Sequence, residues 1–128
     1  NYTELLKTKT ETIKNIPSLD LCLLGIGGDG HTASIFPHEL KKLSDKSDCV
    51  VGINPDSGQK RVSLSIKQIN NSKEVIFHVC GSGKKDVVDM IISKRENYLD
   101  LPASHILPNS KNLSWYLDFD SAETFMGT

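Results

Sequence analysis

No apolar run in this 128-residue sequence approaches the ~18–20 residues of a membrane-spanning helix, so no membrane role is expected. Neither charge sign dominates. Fifteen Lys and Arg against 16 Asp and Glu leave a formal charge of −1, without the basic excess of a nucleic-acid binder. Cysteines are few: Cys22, Cys49 and Cys80 are odd in number and show no C-x-x-C spacing, which argues against a disulfide framework and a zinc site. Each sits in an apolar, strand-like run and is expected to be a buried small hydrophobe in a reducing, cytoplasmic compartment. The sequence also lacks a leading Met and an apolar signal core, so secretion is not indicated. His38 and His105 have no ligand partners at a recognisable spacing, and no metal site is expected.

At this length the chain is one domain at most, with a modest core. Residues 2–15 are polar with Leu5, Leu6 and Ile13 at loosely helical spacing, a surface helix that Pro17 and Ser18 break. Residues 21–24 read as a short buried strand ending in glycine. A glycine loop and a short helical turn limited by Pro37 follow, then a polar helix or loop over 38–46. Strands are predicted at 49–53 and 61–66, separated by the turn residues Asn-Pro-Asp-Ser-Gly at 54–58. A strand at 74–80 closes on Gly81-Ser82-Gly83, and an amphipathic helix spans 84–94. A helical turn at 101–106, a last strand at 113–117 and a terminal helix capped by Asp120 complete the reading. Strands alternating with helices and ending in glycine turns predict an α/β fold, Rossmann-like, with a mainly parallel sheet.

The segment Leu-Leu-Gly-Ile-Gly-Gly-Asp-Gly-His-Thr-Ala-Ser-Ile-Phe-Pro (23–37) carries the chemistry. Gly25, Gly27 and Gly30 match G-x-G-x-x-G by letter, but a dinucleotide site also needs a full helix and an acid at the end of the next strand. Pro37 leaves only about two helical turns, and Asp45 and Asp48 precede the next strand, so no nucleotide cofactor is expected. Glycines turning the chain off a strand's carboxyl end would instead present His31, with Asp29 two residues away. A neutral histidine can take a proton from water, and a nearby carboxylate sets its tautomer. Asp29 as a helix N-cap, with His31 an ordinary first-turn residue, explains the letters equally well. On residue chemistry alone both readings stand. Ser34 lacks the G-x-S-x-G elbow of a nucleophile. Gly81-Ser82-Gly83-Lys84-Lys85 is not a P-loop, since His78 stands where the first glycine belongs and Lys85 where the hydroxyl residue does.

Segment 23–37 resembles the signature G-x-G-x-D-G-H-T-A-S-L-F-P of the 6-phosphogluconolactonases. Lys60-Arg61-Val62-Ser63-Leu64-Ser65, Gly81-Ser82-Gly83-Lys84, Leu101-Pro102-Ala103-Ser104 and Trp115-Tyr116-Leu117-Asp118 are similar to four further family segments, in family order. The glucosamine-6-phosphate deaminases of the same superfamily share the Asp-Gly-His turn, but carry a glutamate just before the proline. Phe36 stands there in this chain, so the lactonase pattern is preferred.

The resemblance implies hydrolysis of 6-phosphoglucono-1,5-lactone without cofactor or metal. It assigns His31 as general base, Asp29 as its orienting partner, and Arg61 and Lys84 as phosphate-binding cations, with Lys60 and Lys85 as neighbouring alternatives. Backbone N–H groups of Gly27, Gly28 and Gly30 are candidate contacts for the substrate and its oxyanion. It further implies that residues 1–128 form a single partial domain, the C-terminal half of a family-length one. The other half would come from the same polypeptide or another chain, with a glucose-6-phosphate dehydrogenase fused or cooperating. The alternatives are a deaminase- or isomerase-like sugar-phosphate enzyme and a non-catalytic sugar-phosphate-binding fragment.

Overall fold

The computed structural model describes residues 2–127. In chain order the elements are α1 (Tyr2–Lys9), β1 (Glu11–Ile13), β2 (Ile16–Ser18), β3 (Cys22–Leu24), β4 (Cys49–Ile53), β5 (Lys60–Leu64), α2 (Ile66–Asn70), β6 (Val75–Val79), α3 (Lys85–Ile92), β7 (Leu113–Leu117) and α4 (Phe119–Met126). Single-turn 3₁₀ segments at Ser82–Lys84, Tyr98–Asp100 and Pro102–His105, and a longer one at Pro37–Ser44, join them.

A parallel sheet in the order β3-β6-β7 forms the centre, as an α/β fold requires. Alternation along β6 turns Val75, Phe77 and Val79 to one face, where each is buried. Phe77 stacks on Trp115 of β7 with ring centroids 4.4 Å apart, and α3 brings Val87, Val88 and Ile91 into the same cluster. Full burial of a side chain such as Phe77 contributes about 1.5–3 kcal/mol relative to exposure. The register places Leu23, Ile76 and Ser114 on the opposite face, with His78 beside Tyr116. There Leu23 is 65% exposed and Tyr116 59%, so this face stands open among the described residues.

Several elements differ from the sequence-based expectation. The first helix stops at Lys9, and residues 11–18 form an antiparallel hairpin, so Pro17 and Ser18 lie in a strand. Lys14 and Asn15 at its turn have φ of 54° and 63°, the pair of positive values that a two-residue hairpin turn needs. β4 and β5 pair antiparallel with each other, outside the parallel sheet. Their connection is the expected turn, where the Asn54 side chain accepts from the N–H groups of Asp56 and Ser57. The second of these strands ends at Leu64, because Ser65 accepts from the Gln68 N–H and starts α2. Asp118, rather than Asp120, caps α4 by accepting from the Ser121 N–H at 2.9 Å. Of the three cysteines expected to be buried, Cys22 is; Cys49 is half-buried, and Cys80 lies one residue beyond β6 and is exposed.

Candidate active site

β3 ends at Leu24 and delivers the chain into a turn with no helix before the 3₁₀ segment at Pro37. Ala33 takes a φ of 50°, and Thr32 and Ile35 form an isolated bridge where a helical turn was expected. The helix-cap reading of Asp29 therefore has no helix to cap. The turn is closed internally: Gly27 N–H donates to the His31 carbonyl and Gly30 N–H to the Gly27 carbonyl, both at 2.9 Å. The Thr32 hydroxyl ties back to the Gly25 carbonyl at 2.9 Å. Two of the three candidate glycine donors are consumed in this way; among the described residues the Gly28 N–H has no such partner.

Asp29 and His31 meet inside the turn. One Asp29 oxygen accepts from the His31 backbone N–H at 3.0 Å and faces His31 Nδ1 at 2.6 Å. An ionised carboxylate is an acceptor only, so Nδ1 carries the proton of the neutral ring and the Nε2 lone pair is left for another partner. The ring is one-third exposed, while the buried Phe36 packs beside it at a centroid distance of 5.0 Å.

Partial burial pushes the Asp29 carboxyl up, but the bonds from the His31 backbone and ring outweigh it and hold the group below its ordinary value. A lowered folded value means that the pair's contribution is in place above the ~3.9 of an unfolded Asp and fades as pH falls through the folded value. An NMR titration of the Asp29 carboxyl carbon should give a midpoint below ~3.9. A midpoint at or above it would mean that these bonds do not form in solution.

Close packing explains the glycines. A Cβ at Gly27 would lie 2.0 Å from His31 Nδ1 and 2.7 Å from the nearer Asp29 oxygen. Gly30 has a φ of +89°, and a Cβ there would meet the Leu101 side chain at 2.7 Å. Ala103 N–H donates to the Gly30 carbonyl, so segment 101–103 braces the turn from behind.

Two further segments border the turn. A Cβ on Gly28 would stand 3.8 Å from the Gly83 carbonyl, so the second glycine turn is its neighbour. From there Lys84 reaches across to donate to the Ile26 carbonyl, while Lys85 points away and pairs with Glu123 at 2.9 Å. The β4–β5 hairpin abuts the other side. Gly52 presses on the Ser34 carbonyl, and Ser63 Oγ accepts from the Ser34 N–H at 3.1 Å. Glu39 accepts from the Ile53 N–H at 2.8 Å, and Lys42 bonds both Glu39 and the Val51 carbonyl, which clamps the hairpin in place. Arg61 precedes Ser63 by two residues and so shares its face of β5. Among the described residues it is not joined to the Asp29–His31 cluster; its Nε donates to Gln59 at 3.3 Å.

The structure thus gathers Gly27, Gly28, Asp29, Gly30, His31 and Lys84, and leaves Arg61 on the adjoining hairpin. Sequence reasoning assigned no role to Leu101, Gly52, Ser63 or Asp118, whose parts depend on contacts with distant segments. Phe36 was noted only for not being a glutamate, not as the wall of the His31 ring. No group of three or more His, Cys, Asp or Glu is placed to hold a metal ion among the described residues.

Residues 1–115 match the sequence profile of the family described as glucosamine-6-phosphate isomerases/6-phosphogluconolactonase. A 6-phosphogluconolactonase of Treponema pallidum is 41% identical over 92 residues, covering 72% of this chain and 38% of that protein. The GDH/6PGL endoplasmic bifunctional protein of Homo sapiens is 38% identical over 104 residues, covering 81% of this chain and 13% of that protein. The solved 6-phosphogluconolactonase of Trypanosoma brucei superposes with a TM-score of 0.80 at 32% identity, covering 95% of this chain and 50% of that one. The chain therefore spans half or less of the length of these proteins. By the profile match over nine-tenths of its residues, it belongs to the glucosamine-6-phosphate isomerase/6-phosphogluconolactonase family.

Proposed function

We propose that the protein containing this chain hydrolyses 6-phosphoglucono-1,5-lactone to 6-phosphogluconate. The observation that carries the reading is the Asp29–His31 pair, held by the glycine turn with Nδ1 committed and Nε2 uncommitted. Water bound at Nε2 loses a proton to the ring as its oxygen attacks the lactone carbonyl carbon. Asp29 keeps the ring in the reactive tautomer and offsets the charge of the imidazolium that forms. Negative charge grows on the carbonyl oxygen, where the Gly28 N–H is the candidate donor. Collapse expels the ring oxygen, which takes the proton back from His31. Lys84, with donors beyond the one given to Ile26, and Arg61 are assigned to the phosphate.

Phe36 favours this reading over a deaminase. The position that supplies a glutamate in that pattern here holds a buried ring against His31. We also propose that residues 1–128 are the C-terminal portion of a single domain. A parallel sheet is normally covered on both faces, and the open face bearing Leu23 and Tyr116 is the place for the remainder, from the same polypeptide or another chain. A glucose-6-phosphate dehydrogenase, fused as in the bifunctional relatives or separate, would supply the lactone. Free cysteines, one of them exposed, suit a reducing cytoplasm.

The test is direct hydrolysis of the lactone, with glucosamine 6-phosphate as a parallel substrate. The full-length protein should open the lactone and leave the amino sugar untouched, and the 128-residue chain alone should show little turnover. Ammonia release from glucosamine 6-phosphate would favour the deaminase, and full turnover by the isolated chain would overturn the partial-domain reading. A full-length protein that binds 6-phosphogluconate without hydrolysing the lactone would identify a non-catalytic binder.

A further inference from the structure

Trp115-Tyr116-Leu117-Asp118 ends β7, and none of its residues has a part in the chemistry above. Asp118 nevertheless makes the connection that fixes the second glycine turn. Both of its carboxylate oxygens accept from the Gly81 N–H at 3.1 Å, across 37 residues of sequence, and one also accepts from the Ser121 N–H. Hydrogen bonds from Ser121, and then from the Gly81 N–H, hold the carboxyl below its usual range, so it is ionised at neutral pH.

Gly81 needs such an anchor. Its φ of 98° is a conformation reserved for glycine, and glycine alone holds any conformation weakly. The 3₁₀ turn Ser82–Lys84 follows at once and carries Lys84 to the Ile26 carbonyl. In the sheet order β3-β6-β7, the three strand ends therefore form one hydrogen-bonded row: Asp118 grips Gly81, and Lys84 grips the turn that holds His31.

We propose that Asp118 is a positioning residue for the sugar-phosphate site, setting the 81–84 turn so that the Lys84 ammonium meets the substrate's phosphate. The proposal rests on the reading of Lys84 as a phosphate-binding cation.

The test uses the full-length protein and three variants. Asp118→Ser keeps a good helix cap for α4 but is too short to hold Gly81. Asp118→Asn keeps one carbonyl oxygen and should be intermediate. Lys84→Ala removes the cation itself. Asp118→Ser should raise KM for the lactone and Kd for 6-phosphogluconate about tenfold, the scale of one charge-assisted hydrogen bond, with kcat unchanged. Hydrogen exchange at the Gly81 amide should quicken at least tenfold while the Ser121 amide keeps its protection. Asp118→Asn should restore part of both effects.

If Lys84→Ala weakens binding and Asp118→Ser does not, the positioning role is wrong and the phosphate assignment stands. If Lys84→Ala changes neither constant, the phosphate assignment fails and takes this proposal with it. Lost protection at Ser121 in Asp118→Ser would mean that α4 has come uncapped, and Asp118→Asn then decides: wild-type constants with a deprotected Gly81 amide would overturn the proposal.

Discussion

Full-length protein carrying His31→Ala should hydrolyse the lactone about 10²–10⁴-fold more slowly, the contribution of a positioned general base. The loss should fall on kcat, with KM nearly unchanged, because Lys84 and Arg61 are the groups assigned to the phosphate. The ring is one-third exposed and its side-chain hydrogen bond goes to a half-exposed Asp29, so the fold should survive its removal. Thermal unfolding and circular dichroism close to wild type would establish that. A folded His31→Ala protein with near-wild-type hydrolysis would remove the histidine from the mechanism. Residual activity above background is expected, since the proposed Gly28 donor and phosphate cations are untouched by the substitution.

Gly27→Ala should be nearly as damaging, by a different route. The added methyl would lie 2.0 Å from Nδ1 and 2.1 Å from Cε1 of the His31 ring, closer than atoms can approach. No positive φ is involved, so the backbone itself tolerates alanine and the whole conflict falls on the Asp29–His31 pair. The ring must swing away, which breaks the 2.6 Å contact and releases Nδ1 from its tautomer. A fall in kcat of at least about 10²-fold is expected, since even a 1 Å misplacement has that scale of effect. Nitrogen NMR of His31 should show the Nδ1–H tautomer giving way to a mixture. Gly25→Ala is the control: nothing lies within 4 Å of a Cβ there, and near-wild-type activity is expected. Equal losses at both positions would point to general fragility of the loop.

What was legible in the sequence and what was not divides along range. The parallel strands, the 54–58 turn and the Asp29–His31 spacing all follow from neighbours in sequence, and each appears where its residues predict it. The place of Lys84 just after a glycine turn was legible too, because that is a local pattern, while its reach to the Ile26 carbonyl was not. The hairpin over 11–18 was missed because Lys14 is an unusual residue at positive φ and Pro17 reads as a break. α2 was missed although Ser65 and Gln68 stand at capping spacing, since Val62, Leu64 and Ile66 alternate like a strand. A local pattern cannot tell whether two neighbouring strands join a distant sheet or pair with each other, and β4 and β5 pair with each other. The glycines read in sequence as the means of turning the chain off the strand. At Gly27 and Gly52 the requirement is an approach by His31 and by Ser34 that only the folded chain reveals.

The five residues from Gly27 to His31 are adjacent, yet the bonds that fasten their surroundings span the chain. Lys84 to Ile26 closes a separation of 58 residues, Gly81 to Asp118 one of 37, and Ser34 to Ser63 one of 29. The pairings of β3 with β6 and of β6 with β7 span comparable separations, but the buried cluster around Phe77 backs them, whereas single hydrogen bonds at the strand ends fasten the turn. Local opening begins where buried contacts are few. Under mild denaturant the turn should therefore unfasten first, and activity should vanish ahead of the sheet's own signal.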